Sequence, residues 1–402
     1  MADQAVIDRA RDHITALVEE QLARVERMKN AADWVDLTKV DKIVIGVCGG
    51  DGIGPYITGQ AQRVLEQVLA PEVASGKIEF RTIEGLTIEN RVAVMKAIPD
   101  DVLVELRKCQ VVLKGPTTTP QQGDPWPNIE SANVAMRREL DLFANVRPVR
   151  VPEKEIDWLF FRENTEGGYI LGSRGIRITE DLGFDFTVTT TQGSDRLIRL
   201  AFETARKLGK KKVTVVTKSN IIKVTDGMFL EVARQVAKDY PDIEWEDWII
   251  DIMSAKLIDP KRQKDFQVMA LPNLYGDIIT DEAAELQGGV GTAGSANIGK
   301  VYSMFEAIHG SAPRMVKEGR TQYADPSSVI RCGAMMLDHI GYPDRGKRLA
   351  MALEVCGQFE KKMTMTGRDT GATGEDFSNY VLQTYNDPNL EKRWNEYAGL
   401  KK

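Results

Sequence analysis

Asp277 and Asp281 stand four residues apart in the run Asn273-Leu274-Tyr275-Gly276-Asp277-Ile278-Ile279-Thr280-Asp281. On a helix this spacing puts both carboxylates on one face, a turn apart. Like charges that close repel unless a cation neutralises them, and carboxylate oxygens suit a hard divalent ion. The same two acids could equally mark a solvated helix start, where the macrodipole favours them. Spacing alone leaves both readings open. A cationic set accompanies them: Arg137 and Arg147 follow Ser131 and Asn133 in one segment, and Arg162 follows the apolar pair Phe160-Phe161. Guanidinium forks bind carboxylates bidentately, so three of them point to a substrate carrying several carboxylates. Taken singly, each arginine could instead serve a surface salt bridge.

The chain has three histidines, His13, His309 and His339. His13 falls in an amphipathic N-terminal pattern and His339 in an ordinary helical one, and both read as structural. Proton transfer then falls to groups other than histidine whose pKa the environment sets, and Tyr169 and Lys218, each just beyond a strand pattern, are the candidates. Two nucleotide motifs are declined. Gly289-Val-Gly-Thr-Ala-Gly294 satisfies GxGxxG but follows a helical pattern, whereas the dinucleotide fingerprint follows a strand. Gly294–Lys300 resembles a P-loop, but Val301 stands where a Ser or Thr would ligate Mg2+.

The 402 residues, 42% hydrophobic and 28% charged, suffice for two domains or one extended α/β unit. A net charge of −6 argues against nonspecific nucleic-acid binding but not against small anions, which a local cationic cluster can hold. The four cysteines are scattered without a CxxC pair, as expected of reduced, buried thiols. No apolar run approaches the ~20 residues of a membrane span. The N-terminus lacks both the apolar core of a signal peptide and the acid-poor character of a transit peptide, so a cytoplasmic location is expected.

Ile7, Ile14, Val18, Leu22, Val25 and Met28 recur at helical spacing, predicting an amphipathic helix that packs on its own domain or on a partner subunit. Strands are expected at 42–48, 77–83, 110–113, 158–161, 213–217 and 267–271. Helices are expected at 194–208, with Ser194 as N-cap and Gly209 beyond the end, and at about 226–240. Alternating strands and helices mean an α/β fold with a largely parallel sheet. The Thr-, Val- and Phe-rich stretch 172–192 alternates with period two and fits an antiparallel arm suited to subunit pairing.

Seven ordered motifs resemble the β-decarboxylating, isocitrate/3-isopropylmalate dehydrogenase family, from about Ile43 to Phe377. They are Gly50-Asp51-Gly52-Ile53-Gly54-Pro55, Lys114-Gly115-Pro116, the Ser131/Asn133/Arg137 segment, Arg162-Glu163-Asn164-Thr165-Glu166, Lys218-Ser219-Asn220, the Asn273–Asp277 block and Phe305–Pro313. The resemblance implies that family's α/β fold, not a Rossmann fold. It implies a helical extension over 1–40, a large discontinuous cofactor domain over 41–142 and 287–402, and a small domain over 143–286 with its arm near 170–192.

In such a member, Asp277 and Asp281, with Asp251 from a neighbouring subunit, would hold Mg2+ or Mn2+. Arg137, Arg147 and Arg162 would fix the substrate's carboxylates, with Asn220 at the same corner. Lys218, also from the neighbour, would assist removal of the hydroxyl proton, and Tyr169 would protonate the product carbon. Working sites would then need at least a homodimer. Isopropylmalate enzymes carry apolar residues where this chain has Ser131 and Asn133, which match positions that hydrogen-bond isocitrate. Isocitrate is therefore favoured over homoisocitrate, isopropylmalate or tartrate. A non-catalytic regulatory subunit is the alternative of another class, against which the catalytic positions are all present. The cofactor would lie along Lys114, Thr119, Glu306, His309, Gly310, Ser311, Ala312, Pro313, Arg314 and Asp325, together with the Gly289–Gly294 loop. Arg314 stands where NAD-linked members have Asp, and a cation there favours the 2′-phosphate of NADP over NAD. Met315, Gly367-Arg368 and Asp325 depart from the NADP pattern, and the spacing from Asp251 to Asp277 is longer than the family's. The loop from Pro120 to Ser131 is also longer than in the well-known bacterial enzymes.

Overall fold

The computed structural model describes residues 4–30, 33–121, 123–172, 174–289 and 293–399. Along the chain run α1 (Gln4–Lys29), β1 (Ile43–Cys48), α2 (Gly54–Val68), β2 (Ile78–Thr82), β3 (Val111–Lys114), α3 (Ala132–Glu139), β4 (Ala144–Val151) and β5 (Ile156–Glu163). Then come β6 (Ile176–Arg177), β7 (Gly183–Phe184), α4 (Thr191–Lys207), β8 (Lys212–Thr217), α5 (Thr225–Val236), β9 (Glu244–Ile249) and α6 (Ile250–Leu257). The remaining elements that position the site are β10 (Val268–Leu271), α7 (Asn273–Gln287), β11 (Gly294–Ile298), β12 (Ser303–Ala307) and α8 (Ser327–His339). Every expected strand is present within a residue or two of its bounds. The chain divides into two compact units, Met1–Trp34 with Phe160–Ile279, and Val35–Leu159 with Thr280–Lys402. The first helix thus groups with residues 160–279.

In the unit of 35–159 and 280–402 the strand order is β2-β1-β3-β12-β11-β4. β1 is parallel to β2 and β3, and β12 is parallel to β3, while β11 runs antiparallel to both β12 and β4. β1, β3, β11 and β12 are buried along their whole length. Strands covered on both faces read as continuous apolar runs, which is why β1 and β3 are legible in the sequence. α8 buries Val329, Ile330, Cys332, Met336 and Leu337. The near-P-loop run is strand β11, so the segment cannot wrap a phosphate as a loop. Of the glycine-rich loop, residues 290–292 lie outside the described residues.

In the other unit β10, β8 and β9 are parallel neighbours, with the Phe160–Glu163 end of β5 beside β10. α4 begins three residues earlier than expected, and Thr190, not Ser194, is its N-cap, its Oγ1 accepting from Gly193 N at 2.9 Å. Ser194 is fully buried in the first turn. A second bond decides this, because Thr190 also donates from its hydroxyl to Glu166 Oε1 at 2.6 Å. Gly209 has φ +70° and closes the helix as expected. The arm is a short antiparallel pair, β6 with β7, plus a bridge between Gly167 and Val188. In α1, Leu17 is buried, while Ile7, Ile14, Val18 and Leu22 are exposed.

The four cysteines are buried and free. Among the described residues no helix is long and apolar enough to cross a membrane.

Candidate active site

The three arginines are not surface groups. Arg162, Arg147 and Arg137 are only 1%, 7% and 8% exposed. A buried guanidinium without a partner is costly, so each must have a dedicated one. Arg162 ends β5, and its Nε and Nη2 donate to Asn273 Oδ1 at 3.0 and 2.7 Å. Its Nη1 pairs with Asp277, and the guanidinium lies over the Tyr169 ring at 5.1 Å. The Tyr169 hydroxyl donates to Asp277 Oδ2 at 2.5 Å. Gly276 makes this close fit feasible, since a Cβ there would sit 2.6 Å from Arg162 Cγ. Arg147, on β4, donates to Thr280 Oγ1 at 2.6 Å, Asp281 Oδ1 at 2.9 Å and Asn145 Oδ1 at 2.7 Å.

α7 starts at Asn273 and has no acid in its first turn. Asp277 and Asp281 therefore lie beyond the reach of the helix dipole, which falls off within that turn. The dipole therefore contributes little to either acid. Each acid instead faces one of the buried arginines.

Arg137, on α3, donates to Glu306 Oε1 at 3.1 Å, and the fully buried Lys114 ammonium meets Glu306 Oε2 at 3.3 Å. Asn297 adds a donor at 2.9 Å. Burial alone would raise the Glu306 pKa, but Lys114 and Arg137 outweigh it and hold the carboxyl at about 2. Burial pulls Lys114 down, partly offset by Glu306. Ser131 stands half-buried at the entry of α3, and Asn133 Oδ1 accepts from Thr117 Oγ1 at 2.9 Å.

Lys218 and Asp251 pair at 2.7 Å, and the Lys218 ammonium holds Asp251 below the usual carboxylate range. Asn220 lies exposed in the turn after β8. On the proposed cofactor segment, Thr118 Oγ1 and Ser311 Oγ share a hydrogen bond at 3.0 Å, whereas Thr119 and Gly310 are exposed. His309 Nδ1 lies 3.1 Å from Gly310 O. Ala312, at φ +47°, turns the chain into the short helix Pro313–Lys317. Arg314 is exposed and donates to Glu318 at 2.6 Å. Burial raises Asp325, whose carboxylate accepts from Ser327 N at 2.8 Å. His13, 2.8 Å from Arg174 O, and His339, beside Phe305, fill the structural roles expected of them.

The isocitrate/isopropylmalate dehydrogenase family model matches residues 44–379. The chain belongs to that family. It is 39% identical over 75% of its length to the NADP isocitrate dehydrogenase of Rickettsia prowazekii, of which it spans 60%. It is 36% identical over 77% of its length to subunit 2 of the mitochondrial NAD isocitrate dehydrogenase of Schizosaccharomyces pombe, covering 79% of that chain. It is 33% identical over 83% of its length to the homoisocitrate dehydrogenase of Methanocaldococcus jannaschii, covering 96% of it. A crystal structure of isocitrate dehydrogenase from Methylococcus capsulatus superposes with a TM-score of 0.72 at 35% identity, over 85% of this chain and 98% of that one. The fold is that of the family, a mixed α/β fold.

The partners of several buried polar residues were not legible in the sequence, even where the residues themselves stand in the motifs. Asp51 accepts from Ile88 N at 2.8 Å and Thr118 N at 2.7 Å, tying the Gly50–Pro55 turn to the loop after Lys114. Gly50, at φ +71°, can bear no side chain, since a Cβ would lie 2.2 Å from Pro116 O. The fully buried Arg91 spans the long loop, donating to Thr118 O at 2.8 Å and Glu130 O at 3.0 Å. Glu163 and Glu166 are buried behind Arg162, and burial, then the Glu166 charge, pushes Glu163 up to about 7.

The donor chemistry fits the groups that the family implies. Asp277 and Asp281 offer hard oxygens from one helix face. Among the described residues no cluster of three or more His, Cys, Asp or Glu side chains stands together for a metal. At Arg314 an exposed guanidinium with one acidic partner suits an incoming phosphate.

Proposed function

We propose that the protein oxidises and decarboxylates isocitrate, with NADP favoured over NAD. The observation that carries this reading is the pairing of Arg162 with Asp277 and Arg147 with Asp281, with Tyr169 on the same Asp277. In each pair a buried arginine holds an aspartate that solvent still reaches. A polycarboxylate substrate exchanges for the aspartates at the arginines, and the released aspartates become available as oxygen ligands. Mg2+ or Mn2+ bound to Asp277 and Asp281, with Asp251 of a second subunit, would supply Lewis-acid stabilisation of charge on oxygen.

Arg137, Arg147 and Arg162 orient the carboxylates, and a bound nicotinamide would supply the hydride acceptor. Lys218 assists removal of the hydroxyl proton, with Asn220 supporting the same corner. After CO2 departs, the Tyr169 hydroxyl donates a proton to the carbon that carried the departed carboxylate. Asp251 and Lys218, already paired to each other, enter the site of a second copy, so the working unit is a homodimer or larger. Ser131 and Asn133 face the substrate's remaining carboxylate. The cofactor is assigned to Lys114, Thr119, Glu306, the run from His309 through Gly310, Ser311, Ala312 and Pro313 to Arg314, and Asp325.

Homoisocitrate is the second reading, favoured by the near-complete coverage of the Methanocaldococcus relative. The test is nicotinamide reduction by purified protein with isocitrate, homoisocitrate, isopropylmalate and tartrate in parallel. NADP and NAD are compared, with and without a chelator. Chelator-sensitive turnover of isocitrate, faster with NADP, is expected. Turnover of homoisocitrate alone overturns the role of Ser131 and Asn133, and faster turnover with NAD overturns that of Arg314.

A further inference from the structure

The first helix precedes the residues matched by the family model, yet it reaches the buried network behind Arg162. Arg24 Nη1 donates to Glu166 Oε1 at 3.0 Å, and Nη2 to Thr165 Oγ1 at 3.4 Å. The two charged side chains are 12% and 2% exposed. The helix has other anchors, in Leu17, the Arg174–Glu20 pair and Arg9, which donates to Ile178 O at 3.1 Å. Burying a guanidinium costs several kcal/mol, so packing alone does not account for Arg24.

Glu166 is gripped from every side. Thr190 donates to it from both N and Oγ1, at 2.9 and 2.6 Å. Gly193 leaves it room, since a Cβ there would lie 2.3 Å from Oε1. Its backbone N donates to Glu163 Oε2 at 2.6 Å. Its carbonyl accepts from Asn273 Nδ2 at 3.0 Å. That bond fixes which way the Asn273 amide faces, and the opposite end of the amide, Oδ1, takes Nε and Nη2 of Arg162.

We propose that Arg24 is a positioning residue, fixing through Glu166 and Asn273 the plane in which Arg162 presents its guanidinium to the substrate. The inference rests on the isocitrate reading above. It makes the N-terminal helix part of the catalytic apparatus and not an appendage. Without Arg24, the Glu166 carboxylate is left buried beside Glu163 with less cationic compensation. The segment carrying its carbonyl then shifts, and Arg162 loses its fixed orientation.

The test is steady-state kinetics of Arg24→Ala beside wild type and Arg9→Ala. For Arg24→Ala, kcat/KM for isocitrate falls roughly tenfold or more, because small misplacements of orienting groups are costly. The loss lies chiefly in the isocitrate KM, the NADP KM stays at its wild-type value, and added guanidinium ion restores activity. Arg9→Ala loosens the helix but leaves both KM values unchanged. Should Arg24→Ala not fold, Arg24→Met keeps the packing volume and carries the same expectation. Wild-type kinetics in the Ala or Met variant, whatever its melting temperature, overturns the inference alone. An inactive wild type overturns the isocitrate reading and this inference with it.

Discussion

Glu306 shows how one carboxylate can organise two cations. It sits between Lys114 and Arg137, and its pKa of about 2 means that the folded chain holds it ionised far below the ordinary carboxylate range. A pKa depressed on folding adds stability that is present above the unfolded value and lost as pH falls through the folded one. Replacing Glu306 by Gln strands two buried cations and should cost about 3–5 kcal/mol at neutral pH. Denaturation of wild type and Glu306→Gln from neutral pH to about 3 should show the gap narrowing below the ordinary carboxylate range, where the unfolded chain takes up a proton that the folded Glu306 still refuses. A gap that is constant over that range would remove Glu306 as the counter-charge.

At the scale of elements, α7 is the piece on which the site turns. Its Asp277 and Asp281 each meet a different buried arginine, and Gly276 lets Arg162 close on the helix. Gly276→Ala should lose about 1–3 kcal/mol through overpacking, and kcat/KM should fall with it as Arg162 is displaced. A Cβ at Gly59, in α2, would instead meet nothing within 4 Å. Gly59→Ala should therefore gain about 0.5–1 kcal/mol and leave the kinetics unchanged. Urea denaturation and initial rates of the two variants decide the matter, and equal effects from both would contradict the steric account.

At the scale of the molecule, the proposal requires a second copy, because Lys218 and Asp251 are assigned to a neighbour's site. Tyr169→Phe and Lys218→Ala should each be nearly inactive alone. Co-refolding the two should restore activity, since a mixed dimer would carry one site with both wild-type groups. Failure to recover activity in demonstrably mixed dimers would place Tyr169 and Lys218 in the same protomer's site.

The sequence by itself determined six of the ten sheet strands, β1 and β3 because doubly covered strands must be apolar throughout, but not β4, β9, β11 or β12, and it determined the ordered motifs whose joint presence marked the family. It also placed the charged residues on the right elements, since helical spacing alone puts Asp277 and Asp281 on one face. The tertiary structure decided which charges meet. The sequence left each arginine open to a surface role, and burial closed that option. Helix-start reasoning placed the cap of α4 at Ser194, but the competing acceptor on Glu166, distant in sequence, moved it to Thr190. Arg24, Asn273 and Glu166 gave no signal of partnership, because each is separated from its partner by more than a hundred residues and only Asn273 and Glu166 stand in motifs. Local periodicity reports what a segment must bury, whereas a hydrogen-bond network depends on contacts that only the folded chain creates.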